Sequence, residues 1–124
     1  MEYTIRYNPR LNCVFGSVKG EITSWSDIES FAAEVSETLS IHSCNRLIND
    51  LRQAPLKMWA VGVYHISDLI ERADIPRTCK RALVVPSDDI EDYSFFENTA
   101  CNKGFNIKVF LDMELARNWL GLPG

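Results

Sequence analysis

Apolar and polar positions follow two different periods along this chain, one of two residues and one of about 3.6 residues. Residues 3–7 alternate between apolar and polar, and a second alternating run extends from Leu11 to about Lys19. Alternation of this kind predicts half-buried strands. The turn Asn8-Pro9-Arg10 between the two runs is short, so we expect the two strands to form an antiparallel pair.

A helical period begins after Gly20. Ser26 is followed three residues later by Glu29, which is the spacing of a capping box and predicts where the first helix begins. Apolar residues then recur on one side of that helix, so it should bury a single stripe against the sheet. The predicted stripe consists of Ile28, Phe31, Ala32, Val35 and Leu39.

The middle of the chain contains a short strand and a longer helix. Arg46–Leu51 predicts a short third strand, which has the carboxylate of Asp50 at its end. A second helix is predicted from about Leu56 to Ala73, because apolar residues recur there at helical spacing. Ile75-Pro76 breaks this pattern and ends the helix.

The last part of the chain repeats strand and helix twice, with a stop signal at each join. Residues 81–86 are a nearly unbroken apolar run, which is typical of a strand buried on both faces of a parallel sheet. Residues 105–111 predict a further strand, and a helix should follow each of the two. The expected helix boundaries are N-caps at Ser87 or Asp88 and at Asp112, and C-terminal ends at Gly104 and Gly121.

The predicted element order is β-β-α-β-α-β-α-β-α in a single domain that spans residues 1–124. Strands and helices alternate after the first pair, which predicts an α/β fold. We expect a largely parallel five-stranded sheet with an N-terminal antiparallel strand pair, flanked by helices. Ligands and partners of such sheets bind at the carboxyl ends of the strands. The loops after Lys19, Leu51 and Pro86 are therefore the first candidate sites.

The charge balance and the hydropathy exclude two classes of partner. The chain has 13 Lys and Arg against 17 Asp and Glu, a net charge of −4, so nucleic acid is not an expected partner. Residues 1–20 lack the apolar core of a signal peptide, and no window approaches the ~20 apolar residues of a membrane span. We therefore expect a cytoplasmic protein with no membrane span.

Neither the cysteines nor the basic residues form a recognised motif. The four cysteines are widely separated, so we expect isolated reduced thiols and not a metal clip or a redox dithiol. Arg72, Arg77, Lys80 and Arg81 cluster in the sequence. We interpret this cluster as a solvated turn before a buried strand, with an anion site as the alternative.

Three scaffold features together resemble one known family. They are the N-terminal strand pair ending in Gly20, the strand 46–51, and a C-terminal tract that contains ALVVPSD, NKGFNIKVFLD and ELARNWL. This pattern is similar to the SpoIIAA-like branch of the STAS family (sulfate transporter and anti-sigma-factor antagonist). The resemblance implies a strand order that largely follows the chain and a fold shared with CRAL-TRIO lipid-transfer domains. It also implies that partners meet the second helix and the loop before it.

One part of the family pattern is missing. Regulatory anti-sigma-factor antagonists of this family carry a phosphorylatable Asp-Ser just after their third strand. The resemblance implies that the corresponding position in this chain follows residues 46–51. In this chain residues 50–55 read DLRQAP, which contains no Ser, Thr or Tyr. A kinase would find no hydroxyl group there, so the phosphorylation switch does not carry over.

The predicted second helix has more apolar residues than one buried stripe requires. The surplus should contact a neighbouring helix or loop, a second protomer, or a ligand. Our leading hypothesis is a non-enzymatic binding module that contacts a protein partner, or itself as a homodimer, through this helix and the loop after the third strand. The predicted contact residues are Asp50, Arg52, Pro55, Met58, Trp59, Val61 and Tyr64.

Two alternatives remain open. The first is a carrier of a lipid or other apolar small molecule, which requires an internal cavity. The second is a metal-assisted hydrolase that uses Asp50 and Asp88. The sequence has no nucleophile elbow, Walker loop or dinucleotide-binding glycine motif, so we predict no catalytic residue, cofactor or metal site. The predicted lining of the carrier's cavity is Phe31, Phe95, Phe96 and Trp119.

Overall fold

The computed structural model describes residues 1–58, 68–69 and 71–123. These residues contain five strands, three complete helices and a 3₁₀ turn at Ser87–Asp89. The strands are β1 (Glu2–Asn8), β2 (Cys13–Lys19), β3 (Arg46–Gln53), β4 (Lys80–Val84) and β5 (Asn106–Phe110). The helices are α1 (Trp25–Ile41), α2 (Ile90–Asn102) and α3 (Met113–Trp119).

The five strands lie in the sheet in the order in which they occur along the chain. β1 and β2 are antiparallel, with Asn8 opposite Cys13 across the turn. The remaining neighbours are parallel, and their register places Gly16 beside Asn49 and Asn49 beside Leu83. The predicted α/β class, the antiparallel first pair and the sequential strand order are confirmed.

The sheet separates two hydrophobic clusters of unequal size. Successive residues of a strand point to opposite faces, so Val14 and Val18 enter the larger cluster while Cys13 enters the smaller one. α1 and α2 cover the larger cluster, and α3 covers the smaller one. The stripe predicted for α1 is confirmed. Its buried residues are Phe31, Val35 and Leu39, and Ile28 and Ala32 pack against the same cluster.

The predicted start of α1 at Ser26 is wrong by two residues. The N-cap is Ser24, whose backbone is extended (φ −143°, ψ 133°) and whose hydroxyl oxygen accepts a hydrogen bond from the Ser26 N–H group at 3.1 Å. Glu29 does not reach back to the cap, because its carboxylate pairs with Arg72 at 3.0 Å. Ser24 and Ser26 both match the residue preference of an N-cap, so the sequence pattern alone does not distinguish them.

The start of α2 also differs from the prediction. Neither Ser87 nor Asp88 caps it; a 3₁₀ turn precedes the helix and the N-cap position falls on Asp89. The Asp89 carboxylate does not bind the helix N-terminus, because it accepts a hydrogen bond from Leu56. The other boundaries are confirmed. Asp112 caps α3, and Gly104 and Gly121 follow α2 and α3 with φ of 88° and 74°.

Most of the predicted second helix, Leu56 to Ala73, lies outside the described residues. Residues 68–69 and 71–72 are helical. Leu56 is not, since it forms an isolated parallel bridge with Ile22. The strand before this segment is longer than predicted, because β3 continues past Leu51 to Gln53. None of the helices in the described ranges has the length and hydrophobicity that a membrane crossing requires.

Candidate functional site

A cavity of about 160 Å³ lies between α1 and the sheet face that carries the larger hydrophobic cluster. The strands β2, β3 and β4 line it from the sheet, and α1 and α2 line it from the other side. Residues that follow β2 and β3 also line it, together with Met1, Leu69, Ala73 and Ile75. Most of the lining is apolar, as shown by Val18, Ile22, Phe31, Val35, Leu51, Leu56, Met58, Leu83 and Phe96.

Gly16 of β2 allows two of the lining side chains to approach the sheet. A Cβ atom at Gly16 would lie 2.7 Å from Cζ of Phe31 and 2.8 Å from Oδ1 of Asn49. Both distances are shorter than non-bonded atoms tolerate, so a larger residue would displace the ring or the amide. Phe31 is also held by Tyr3, whose ring meets it edge-on at 5.2 Å between centroids. A glycine in this strand therefore fixes where Phe31 and Asn49 lie.

The segment after β3 forms one wall of the cavity and is held by hydrogen bonds. The Ile22 N–H group donates to the Pro55 carbonyl oxygen at 2.9 Å, and the Lys57 N–H group donates to the Ile22 carbonyl oxygen at 2.9 Å. The Leu56 N–H group donates to the Asp89 carboxylate at 3.0 Å. These bonds join the segment to the chain after β2 and to the start of α2, which holds Leu56 at the cavity.

Two polar side chains reach the cavity from neighbouring strands of the sheet. Arg81 of β4 is 7% exposed and Asn49 of β3 is 8% exposed, and both belong to the cavity lining. Nε and Nη1 of Arg81 and Oδ1 of Asn49 are buried and find no hydrogen-bond partner among the described residues. Burial lowers the pKa of Arg81 to about 10, so the guanidinium remains protonated at neutral pH. The sheet thus presents a positive charge and a hydrogen-bond acceptor to a largely apolar space.

α2 contributes a carboxylate and a phenol to the same lining. Asp92 is exposed and Tyr93 is half-buried. Burial, assisted by the negative charges of Asp89 and Asp92, raises the pKa of Tyr93 above its ordinary value. The phenol is therefore neutral at physiological pH and keeps its proton for donation.

The structure brings two of the four residues predicted for a carrier to the cavity. Phe31 and Phe96 line it. Phe95 does not, because it lies on the outer side of α2 and is 45% exposed. Trp119 belongs to the smaller cluster on the opposite face of the sheet, where its ring lies 5.8 Å from that of Phe110.

The predicted contact residues after β3 begin with an ion pair at the carboxyl end of that strand. Nε and Nη2 of Arg52 each donate to the Asp50 carboxylate at 2.9 Å. The Arg52 hydrogen bonds hold the pKa of Asp50 below its ordinary value. The Arg52 side chain is 47% exposed and the Asp50 side chain 28%, so the pair faces solvent at the end of the sheet where ligands of this architecture bind.

The other predicted contact residues divide into two sets. Pro55 is half-buried, and Met58 is half-buried and lines the cavity. Met58 therefore packs against the larger cluster, whereas the sequence predicts an exposed anchor at this position. Trp59, Val61 and Tyr64 lie outside the described residues.

The residues considered for metal-assisted hydrolysis lie in different surroundings. Asp50 pairs with Arg52, and Asp88 is exposed on the 3₁₀ turn before α2. The described ranges contain no group of three or more His, Cys, Asp or Glu side chains placed to bind a metal ion. Cys13, Cys44 and Cys79 are buried free thiols, and Cys101 is an exposed one.

Arg81 and Asn49 are two cavity residues to which the sequence assigns no role in a site. The interpretation of the basic cluster as a solvated turn is wrong for Lys80 and Arg81, because β4 begins at Lys80 and Arg81 is buried within it, as the predicted strand 81–86 indicates. The rest of the basic cluster disperses; for example, Nζ of Lys80 donates to the Trp119 carbonyl oxygen at 3.0 Å. The sequence contains one sign of a special role for Arg81. It lies two residues before Leu83 and so on the same strand face, where a charged residue interrupts an otherwise apolar face.

Comparison with known proteins gives structural matches alone. The sequence matches no protein-family model and no curated protein. The anti-sigma factor antagonist SpoIIAA in its unphosphorylated form is 16% identical, with a TM-score of 0.58 over 97% of this chain and 98% of that one. An anti-sigma factor antagonist from Mycobacterium paratuberculosis is 15% identical, with a TM-score of 0.61 over 97% and 95% of the two chains.

A third solved structure is an uncharacterized protein of the DUF3478 family from Shewanella loihica, described as having a SpoIIAA-like fold. It is 12% identical, with a TM-score of 0.59 over 95% of this chain and 93% of that one. At such identities the likeness establishes the fold and nothing more specific. Over nearly its whole length, this chain has the SpoIIAA-like (STAS) fold.

Proposed function

We propose that this protein is a non-enzymatic binding module that holds a small apolar molecule in the cavity beneath α1. The observation that supports the proposal is the cavity itself, about 160 Å³ with a largely apolar lining. An engineered apolar cavity of about 150 Å³ is large enough to bind benzene. The space in this protein therefore suits a ligand of roughly that size or slightly larger.

The test compares two leucine substitutions on the same helix, with 1-hexanol as an uncharged probe. Ala32 is half-buried on α1 and lines the cavity, whereas its neighbour Ala33 is exposed and does not. We expect saturable binding of 1-hexanol to the unmodified protein, an affinity at least tenfold lower in Ala32→Leu, and no change in Ala33→Leu. Isothermal titration calorimetry measures all three. Absence of saturable binding to the unmodified protein would refute the proposal.

Native mass spectrometry of freshly purified protein gives an independent test of a retained ligand. The chain alone has a mass of 14.1 kDa. We expect an additional mass that disappears in Ala32→Leu and persists in Ala33→Leu. An additional mass that is equal in both variants would place the bound molecule outside the cavity.

We also propose a second function, contact with a protein partner or a second copy of the chain through the end of β3 and the segment after it. The exposed ion pair of Arg52 and Asp50 supports this proposal, because it lies at the carboxyl end of the strand. The likeness to two anti-sigma factor antagonists supports a protein partner in general terms. The DLRQAP segment contains no hydroxyl side chain, so such contact would not depend on phosphorylation there.

Charge reversal tests this second function. Arg52→Glu places a negative charge beside Asp50, while Arg10→Glu makes the same change in the turn at the other end of β2. We expect Arg52→Glu to weaken self-association at least tenfold in sedimentation velocity and Arg10→Glu to leave it unchanged. A protein that stays monomeric at all concentrations would leave no role for a homodimer.

A further inference from the structure

The position of Arg81 gives information about the chemistry of the ligand. Its guanidinium is more than nine-tenths buried, lies in the lining of the cavity, and has two nitrogen atoms without a hydrogen-bond partner among the described residues. Buried charged groups are normally paired, because an unpaired charge away from water is costly. A guanidinium with free N–H groups that faces a cavity is therefore incomplete without a ligand.

Asn49 gives a second and independent observation beside it. Asn49 pairs with Leu83, and Arg81 pairs with Leu47, so the two polar residues are diagonal neighbours on adjacent strands and share one face of the sheet. Oδ1 of Asn49 is also buried and has no partner within residues 1–58, 68–69 and 71–123. Native proteins leave few such atoms unsatisfied, and two side chains of this kind in one lining indicate a polar group on the missing molecule.

We propose that the ligand is a small apolar carboxylate whose acidic group binds the Arg81 guanidinium beside Asn49, while its hydrocarbon part fills the cavity. This inference rests on the proposed small-molecule function. The planar fork of an arginine matches the two oxygens of a carboxylate. Asn49 supplies an acceptor for a hydroxyl or N–H group of the same ligand.

The charges of the lining favour a carboxylate over a phosphate. Arg81 is the single Lys or Arg among the described lining residues, and Asp92 adds a negative charge. One guanidinium can neutralise a monoanion, but a phosphate dianion would keep excess negative charge in a largely apolar space. The size of the cavity sets the second limit, since about 160 Å³ admits a short chain or a single ring.

The experiment measures hexanoate and 1-hexanol, which share a six-carbon chain, by isothermal titration calorimetry. We expect hexanoate to bind the unmodified protein at least tenfold more tightly than 1-hexanol. Arg81→Met should abolish this preference and retain binding of 1-hexanol, which also shows that the variant is folded. Arg81→Lys keeps the charge without the planar fork, so an intermediate preference is expected. Acetate, which lacks the hydrocarbon part, should bind far more weakly than hexanoate.

The outcomes separate the two proposals. If 1-hexanol binds the unmodified protein and hexanoate binds no more tightly, the acidic ligand is wrong while the apolar cavity function stands. If hexanoate keeps its preference in Arg81→Met, which has no charge at this position, the guanidinium does not recognise the ligand and the inference also fails. If neither compound binds the unmodified protein, both proposals are wrong.

Discussion

At the scale of single residues, the side chain of Arg81 opposes the stability of the molecule that contains it. Its charge is buried, and the part of the chain that the structure describes offers no hydrogen bond to Nε or Nη1 in return for the hydration lost on folding. Residues at binding sites often carry such a cost, because the group that satisfies them is supplied by the ligand. The ligand-free protein should therefore be less stable than its fold allows.

We predict that Arg81→Met raises the free energy of unfolding of the ligand-free protein by about 1–3 kcal/mol, because methionine fills similar space without a charge. Urea denaturation measures the change. Folding lowers the pKa of Arg81 to about 10, so the folded state binds fewer protons than the unfolded state only at more alkaline pH. The destabilisation caused by the buried Arg81 charge is therefore complete at neutral pH and declines as the pH rises above about 10. The increase in the free energy of unfolding caused by Arg81→Met should be equal at pH 6 and pH 8.

Arg77→Met serves as the comparison for this prediction. Nε of Arg77 donates to the Lys103 carbonyl oxygen at 2.9 Å, and its guanidinium lies over the ring of Phe105 at 4.4 Å. We expect this variant to be slightly less stable than the unmodified protein. A loss of stability in Arg81→Met as well would contradict the view that its guanidinium is unsatisfied.

The sequence predicts single residues well where one local rule decides their role. Gly104 and Gly121 have a left-handed backbone because they end helices, and Asp112 caps a helix, all as the pattern indicates. The roles of Arg81 and Asn49 depend instead on which residues of neighbouring strands lie opposite them. That information is set by the register of the sheet, so the sequence can mark Arg81 as a polar residue on an apolar strand face but does not place it beside Asn49.

At the scale of elements, one carboxylate connects two parts of the cavity wall. Asp89, at the start of α2, accepts a hydrogen bond from the backbone of Leu56 at 3.0 Å, although the two residues are far apart in the chain. The bond is partly buried, and it explains why an aspartate at a helix N-terminus does not cap that helix. The position of the segment after β3 therefore depends on α2.

We predict that Asp89→Ala lowers the free energy of unfolding by about 1–2 kcal/mol, because it leaves the Leu56 N–H group without its charged acceptor. The same change should weaken 1-hexanol binding, since Leu56 lines the cavity. Asp88→Ala is the matched control, because Asp88 is the preceding residue of the same turn and is exposed. Urea denaturation measures the stability of both variants, and calorimetry measures their binding of 1-hexanol. Equal values for Asp89→Ala and Asp88→Ala would contradict a role for the hydrogen bond to Leu56.

The elements themselves follow the sequence closely, and the errors concern their ends. All five strands and the helices α1, α2 and α3 occur where the hydrophobic periods predict them. The N-cap of α1 is Ser24 and not Ser26, because the Ser24 hydroxyl accepts a hydrogen bond from the Ser26 N–H group and two nearby serines both suit an N-cap. β3 extends to Gln53 because its last residues pair with β2 near Lys19, a contact between elements that the nearby sequence does not show.

At the scale of the whole molecule, the reactivity of the cysteines shows whether the hydrophobic clusters on the two faces of the sheet remain packed. Cys13, Cys44 and Cys79 are buried, whereas Cys101 is exposed. Burial raises the pKa of Cys13 to about 12 and that of Cys79 to about 11, so both are thiols and not reactive thiolates at pH 8. The buried thiols lie in both hydrophobic clusters, so their reactivity samples the two faces of the sheet.

We predict that iodoacetamide at pH 8 modifies Cys101 rapidly and the other three cysteines only as the protein unfolds. Intact-mass spectrometry should show one early addition and then a transition to four without stable intermediates. Cys101→Ser should remove the early addition. Early modification of Cys13 or Cys79 in the native protein would contradict the closed packing around them.

The sequential order of the strands has a consequence for the synthesis of the protein on the ribosome. Each new strand leaves the ribosome when its neighbour in the sheet has already been made, so no strand has to wait for a distant partner. β1 and β2 pair first across a short turn, and β3 and β4 then add to the growing edge. The cavity closes only after α2 emerges, because Tyr93 and Phe96 form part of its lining. The cavity is therefore one of the last features to form as this domain is synthesised.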